Sequence, residues 1–353
     1  ESGVALAHPR ALKKEEVASI AAWVKGAMPV GTGEPVVVAL PSPPAFRVDA
    51  SRQTSEDVVL PDETPAAYHT GEMDQHAFRL MMANAKPLRV QAVRGTSTAP
   101  QSVRVMTLVA DVSGRVLALD REDPLVGWRM GADVGYTPAG AFGMLLVGGG
   151  PLRVPAGFHW AYEPYTDLSL GVHFRPTGIE ETLRERLDVE FVDDDVQSRP
   201  LRWLPLVQLA VDVPAGERVE VTPEPLVVPA AVDCVALTPR AVELCTSLRV
   251  EAVFPNGTKR VLLSIPDWDH HRRETYVLSE PLRLPRGTII QGTWLLDNTA
   301  ENPRNPDDPP IDVARRRRAG ILSVLLHAAA VDELDDSMLE KFGRVTLKRA
   351  QRR

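Results

Sequence analysis

Residues 248–265, L-R-V-E-A-V-F-P-N-G-T-K-R-V-L-L-S-I, decide the fold class. Two short β-rich runs, Leu248–Phe254 and Arg260–Ile265, flank Pro255-Asn256-Gly257-Thr258. Asn-Gly is the favoured pair of a type I′ turn, so the stretch predicts a β-hairpin. Further runs of the same kind lie on either side: Thr288–Leu296 downstream, and Leu168–Phe174, Val103–Asp111 and Val36–Leu40 upstream. The chain has 31 prolines in 353 residues, about 9% against a usual ~5%. They are spread between apolar segments, where they punctuate strands and turns. No short repeat and no βαβ alternation occurs, which argues against a doubly wound α/β fold. The expectation is a mainly β protein built of two antiparallel sandwiches.

The two ends differ from the middle. Val17, Ile20, Ala21 and Val24 fall at helical spacing within residues 14–27, and Gly26 and Pro29 end that helix. Leu334, Met338 and Phe342 recur every four residues in an acid-first, base-last tail that also predicts a helix. The usual partner of such a stripe is the molecule's own core; another chain is the alternative, and Val17, Ile20, Val24, Leu334, Met338 and Phe342 are candidate partner contacts.

Composition removes several classes. With 40 Lys+Arg against 47 Asp+Glu the net charge is −7, which speaks against a nucleic-acid binder. The longest apolar run, Ile321–Val331, is too short to cross a bilayer. Cys234 and Cys245 form no C-x-x-C motif, which leaves no thioredoxin, cysteine-zinc or haem-attachment signature. Flanking a turn-like Thr238-Pro239-Arg240, they are a possible disulfide or two buried thiols. There is no G-x-S-x-G, Walker A or H-E-x-x-H pattern. Gly148-Gly149-Gly150 is followed by Pro151 and reads as a turn. Asn256-Gly257-Thr258 is a formal glycosylation sequon that a hairpin turn explains, and Arg315–Arg318 reads as a basic run paired with nearby acids.

Three segments resemble the copper type II, ascorbate-dependent monooxygenases, the family of peptidylglycine α-hydroxylating and dopamine β-monooxygenases, in the bacterial form fused to a cytochrome c domain. They are 155–178, ending V-H-F-R-P-T-G; 265–276, I-P-D-W-D-H-H-R-R-E-T-Y; and 281–310, ending D-N-T-A-E-N-P-R-N-P-D-D-P-P. The helix at 14–27 looks like the last helix of the cytochrome domain. The resemblance implies an N-terminal helix and linker (1–33), two eight-stranded jelly rolls (34–196 and 197–331) facing each other across a cleft, and a helical tail (332–353).

That family uses two coppers, one on three histidines and one on two histidines and a methionine. Here the ligand positions fall on Arg104, Val105 and His173, and on Arg240, Val242 and a position near Gly320 or Ile321. Only His173 is retained. Arginine has no lone pair to offer a metal. Asp267, Asp269 and His271 form a weaker candidate cluster, placed on one face if that stretch is a strand. The expectation is therefore no copper and no catalysis: a scaffold or accessory subunit, exported to the periplasm or cell surface, with a leader outside this chain. Its partners would be other protein subunits, a cytochrome c among them. The alternatives are a copper- and ascorbate-dependent hydroxylase with a rearranged site, or a module binding an anion or other small molecule in the cleft through Arg104, Arg240 and Trp160.

Overall fold

The computed structural model describes residues 3–6, 14–26, 75–81, 86–123, 127–129, 138, 140–174, 185–313 and 321–351. The expected strand at 36–40, the basic run at 315–318 and Gly320 lie outside them. Strands make up most of the regular structure. In chain order they are β1 (Gln75–Met81), β2 (Leu88–Ser97), β3 (Val103–Asp111), β4 (Trp128–Arg129), β5 (Gly140–Leu146), β6 (Leu152–Arg153), β7 (Phe158–Tyr162), β8 (Asp167–Phe174), β9 (Glu185–Phe191), β10 (Arg199–Gln208), β11 (Arg218–Val221), β12 (Leu226–Val227), β13 (Val232–Arg240), β14 (Cys245–Val253), β15 (Lys259–Ile265), β16 (Tyr276–Leu284), β17 (Ile289–Asp297) and β18 (Leu322–Ala330). Among the described residues the α-helices are α1 (Lys14–Lys25), α2 (Arg115–Glu122) and α3 (Asp336–Gln351).

The hairpin forms where the sequence places it, with β14 and β15 paired antiparallel. Its turn is not type I′. Pro255 holds φ near −65° and suits the first central position of a type I turn. Gly257 N donates to Phe254 O at 2.8 Å, and Gly257 alone takes the left-handed conformation, φ 82°. Asn256 Oδ1 accepts from Thr258 N at 3.0 Å and Thr258 Oγ1 at 2.7 Å. Phe254 N donates to Thr258 O at 2.8 Å, so Pro255-Asn256-Gly257 is a three-residue loop with a bulge.

From β10 onward the strand order is that of a jelly roll. One sheet runs β10-β18-β13-β16 and the other β11/β12-β17-β14-β15, the first, eighth, third and sixth strands facing the second, seventh, fourth and fifth. The first half follows the same plan: β1-β8-β3-β5 lie in one sheet, with β4 beyond β1, and β2 pairs with β7 in the other. β6 and β9 add to β2 on opposite sides. All but one of the pairings between the described strands are antiparallel. The exception is β7 with β10, which are parallel in the register Arg199↔Phe158, Pro200↔His159, Leu201↔Trp160.

That one pairing merges the two halves. The two sandwiches, expected with their broad faces apposed, share one eight-stranded sheet among the described strands. Two cores result. Cys234 and Leu237 of β13 belong to the core beneath the β14/β17 sheet, whereas Val235 and Ala236, together with Ala329 of β18, belong to the core of the first half. A strand buried on both faces reads as a continuous apolar run. This is why Ile321–Val331 is the longest apolar stretch of the chain.

The tail helix closes on the molecule's own core. Leu339 is fully buried, and Met338 and Phe342 pack beside it, so these two are intramolecular contacts rather than partner contacts. Leu334 precedes the helix in a single 3-10 turn and is 87% exposed. Arg202 of β10 fixes the helix start through a forked pair with Asp336, 2.6 and 2.9 Å. At the other end α1 is a helix without a buried residue; Val17, Ile20, Trp23 and Val24 are all about half exposed.

Candidate functional site

His173 lies near the end of β8, opposite Val105 of β3. Between Val103 and Val105 the ladder slips by one residue. Arg104 falls in this bulge, and its side chain is exposed rather than beside His173. Val105 is fully buried.

The residue that does meet His173 comes from the segment between β15 and β16. Those ten residues are not a strand, so the alternation expected for Asp267, Asp269 and His271 does not arise. Asp267 pairs with Arg304 at 2.8 Å, and Asp269 Oδ1 accepts from His271 N at 2.9 Å. The segment is anchored at both ends. Trp268 N donates to Thr246 O, and Arg304 Nη1 donates to Trp268 O at 2.5 Å. Thr275 Oγ1 accepts from Met144 N at 2.8 Å, while Thr275 N donates to Met144 O. The chain between these anchors has to turn inward, and Arg273 ends 1% exposed.

Arg273 Nη2 is 2.8 Å from His173 Nδ1. A guanidinium only donates, so Nδ1 accepts and the imidazole proton resides on Nε2. Neither His173 Nε2 nor Arg273 Nε has a hydrogen-bond partner among the described residues. Burial, then the charges of Arg273, Arg240 and His270, hold His173 well below the ordinary histidine range. Burial and Arg240 pull Arg273 down to about 9, against a smaller opposing effect of Glu243. His270 is likewise held low, by burial first and Arg273 second, although its Nδ1 contacts Ala241 O at 3.1 Å. The centre therefore collects two arginines and two neutral histidines, with Glu243 the acid that acts on it.

A second polar chain runs beside it. Trp160 Nε1 donates to His327 Nδ1 at 3.2 Å, His327 Nε2 meets Thr238 Oγ1 at 2.8 Å, and Thr238 Oγ1 meets Thr275 Oγ1 at 2.7 Å. With Nδ1 accepting, Nε2 donates, and His327 is neutral; burial lowers it to about 4. These bonds tie β7, β13, β18 and the Arg273 segment into one unit.

What remains of the cleft is a cavity of about 110 Å³ between β3/β5 and the outer faces of β10, β13 and β18. Arg240 and Ile321 both line it, together with Thr107, Thr238, Ser323 and an apolar wall that includes Leu325 and Leu347. Val242 instead packs against the second core. Trp160 is buried in the first core, and Arg104 does not line the cavity.

The residues present do not fit a copper pair. Of the six positions that the resemblance assigns to ligands, only His173 is a histidine; its Nδ1 lone pair is taken by Arg273, and a guanidinium repels a cation brought to that imidazole. Among the described residues no group of three His, Cys, Asp or Glu comes together as a metal site. Cys234 and Cys245 lie on β13 and β14, which belong to different sheets rather than one hairpin, and both thiols are free. Burial pushes each up to about 12, so both stay protonated.

The 266–276 and 298–310 segments prove to be one structural unit. Asn298, fully buried, donates to Val213 O, Pro214 O and Ile311 O, and Asn305 donates back to Asn298 Oδ1. Sequence reasoning missed Arg273 and His270 as members of the centre. Both sit in a quoted segment, but an arginine forced inward by anchors whose partners lie elsewhere in the chain, Arg304 for Trp268 and Met144 for Thr275, leaves no local pattern.

No protein-family model matches the chain, and neither does any curated protein. Among solved structures, the major capsid protein P2 from Bacteriophage PM2 aligns over 74% of this chain and 99% of its own, with TM-score 0.25 and 10% identity. The VP2 subviral particle of infectious bursal disease virus aligns over 78% of this chain and 69% of its own, with TM-score 0.19 and 9% identity. Likenesses this remote carry no argument about what the chain does. No described helix is long and apolar enough to cross a membrane.

Proposed function

We propose that this chain is a non-catalytic relative of the copper type II monooxygenases, exported by a bacterium, that works without copper as a scaffold or accessory subunit beside other proteins, a cytochrome c among them. The observation that carries this reading is the Arg273–His173 contact, which puts a cation where the resemblance expects a metal. The partner half rests on α1, whose Val17, Ile20 and Val24 are each about half exposed. A helix of this length is marginal in water on its own. In native extracts the chain should run within a larger assembly. A variant carrying Ile20→Asp and Val24→Asp should keep its fold and leave that assembly. A wild-type chain that runs as a lone monomer in native extracts refutes the reading.

One observation favours a second reading. The 110 Å³ cavity is mainly apolar yet carries Arg240 and the hydroxyl of Ser323. A small organic anion with an apolar body suits that lining. Calorimetric titration with benzoate, with Arg240→Met as the control, tests it; equal heats from both proteins would dismiss it.

A further inference from the structure

The polar end of the 110 Å³ cavity is built across one ladder. Arg240 of β13 stands opposite Ser323 of β18, and the next same-face pair, Thr238 and Leu325, also lines the cavity. Trp203, Pro205 and Val207 of β10 add apolar wall. The Arg273–His173 pair adjoins the cavity without lining it. Val105 of β3 lies opposite His173 of β8, and Thr107 lies opposite Gly171. Residues two apart share a face of a strand, so His173 sits one such step, about 7 Å, beyond the cavity-lining Thr107. The segment that carries Arg273 is tied to the cavity wall two residues later. Thr275 Oγ1 meets Thr238 Oγ1 at 2.7 Å and accepts from Met144 N at 2.8 Å, and Thr238 and Met144 both line the cavity. The bond to His173 Nδ1 holds the guanidinium in place. The charge of Arg240 acts on Arg273 and on His173, and the acid that opposes it at Arg273 is Glu243, a partly exposed side chain.

We propose that the ligand of this cavity is an apolar monocarboxylate seated with its carboxylate at Arg240 and Ser323, and that Arg273, which does not touch it, sets the preference for the carboxylate over a neutral amide. Arg240 is the one charged residue among the described lining, so the cavity offers a single cation as a contact and apolar surface for the rest of the molecule. Arg273 contributes through its field. A charge sealed from solvent is weakly screened by salt. At ~10 Å, with an effective dielectric constant of about 20, one fixed positive charge favours an anion over its neutral isostere on the order of tenfold. Arg273 is therefore a specificity-determining residue that works from behind the contact, and the ligand's carboxylate supplies the counter-charge that the buried guanidinium lacks. This inference deepens the small-anion reading and rests on it; it does not need the copper-free one.

The test is calorimetric titration of the full-length protein with benzoate and, separately, with benzamide. The wild type should bind benzoate at least tenfold more tightly than benzamide. Arg273→Met should cut that preference about tenfold while leaving the affinity for benzamide within twofold. Arg273→Lys keeps the charge and should keep most of the preference. Glu243→Gln removes the opposing acid at a partly exposed position and should raise the preference severalfold. That variant carries the test if Arg273→Met does not fold. An unchanged preference in Arg273→Met, or in Glu243→Gln where the methionine variant is lost, overturns the role of Arg273 and leaves the anion site standing. So does an equal weakening of both probes, the mark of a merely structural change. Equal wild-type affinities for the two probes overturn the carboxylate preference itself. Wild-type protein that binds neither probe removes the small-anion reading, and this inference with it.

Discussion

The guanidinium of Arg273 stands 2.8 Å from Nδ1 of His173, and both side chains are sealed from solvent. A charge in such a place is destabilising unless a carboxylate or an anion neutralises it. The pair occupies the junction where the first sandwich meets the outer face of the shared sheet. His173 thus spends its Nδ1 lone pair on a cationic donor, which leaves that lone pair unavailable to a metal.

Replacing Arg273 by methionine should therefore be tolerated. The loss of one hydrogen bond, about 1 kcal/mol, is set against relief of the buried charge. We expect urea unfolding at pH 8 to give a stability equal to the wild type or up to ~3 kcal/mol higher. A loss above ~3 kcal/mol would mean that the guanidinium is neutralised and holds the junction together.

Stability should fall as the pH drops from about 6.5 to 4. His327 and His159 are lowered to about 4, the first by burial and the second by burial with Arg89 and Arg202, and His173 and His270 are lowered too. In the unfolded chain all four bind protons below ~6.5. The unfolded state therefore gains protons that the native state refuses, and the stability present above that pH is lost on acidification. Glu185 acts the other way: burial raises it to about 7 despite a hydrogen bond from Ser97, so its contribution is full below its unfolded value and disappears as the pH rises through 7. Four groups outweigh one. The denaturation midpoint should decline over this window, and Glu185→Gln should stabilise at pH 8 by ~1–3 kcal/mol but not at pH 4. A flat profile would show that these histidines are not kept neutral.

Gly343 tests how the tail helix docks. A Cβ there would collide with the carbonyl oxygen of Trp203 on β10. Alanine favours a helix over glycine by ~1 kcal/mol, so a free helix would be strengthened by Gly343→Ala. The docked helix should instead lose ~1–3 kcal/mol in thermal or urea unfolding. The exposed neighbour change Val345→Ala should shift stability by less than ~0.5 kcal/mol. A gain for Gly343→Ala would mean that α3 does not sit on β10.

The sequence carried the local elements well because they depend on local chemistry. The run Val103–Asp111 coincides with β3, and the hairpin around Gly257 forms with a different turn because Pro255 fixes its first position. The layer structure was not legible. It hangs on three parallel register pairs between β7 and β10, which are distant in the chain and carry no pattern of their own. The tail helix showed its stripe, but only the fork from Arg202 and the missing side chain at Gly343 say that the stripe faces its own core. At the site, Arg240 and Ile321 line one cavity, whereas Val242 packs against the second core. Arg104 leaves the site through a one-residue bulge that residue counting along a strand does not register.

Copper content decides the central claim. The full-length protein should be incubated with excess copper and ascorbate, freed of loose metal by gel filtration, and measured for copper per chain and for ascorbate-dependent oxygen consumption. With Arg273 against His173 and the other five ligand positions changed, the account predicts well under one copper per chain and no oxygen uptake above the protein-free rate. About two coppers per chain, with oxygen uptake stimulated by a peptide or phenethylamine substrate, would contradict it.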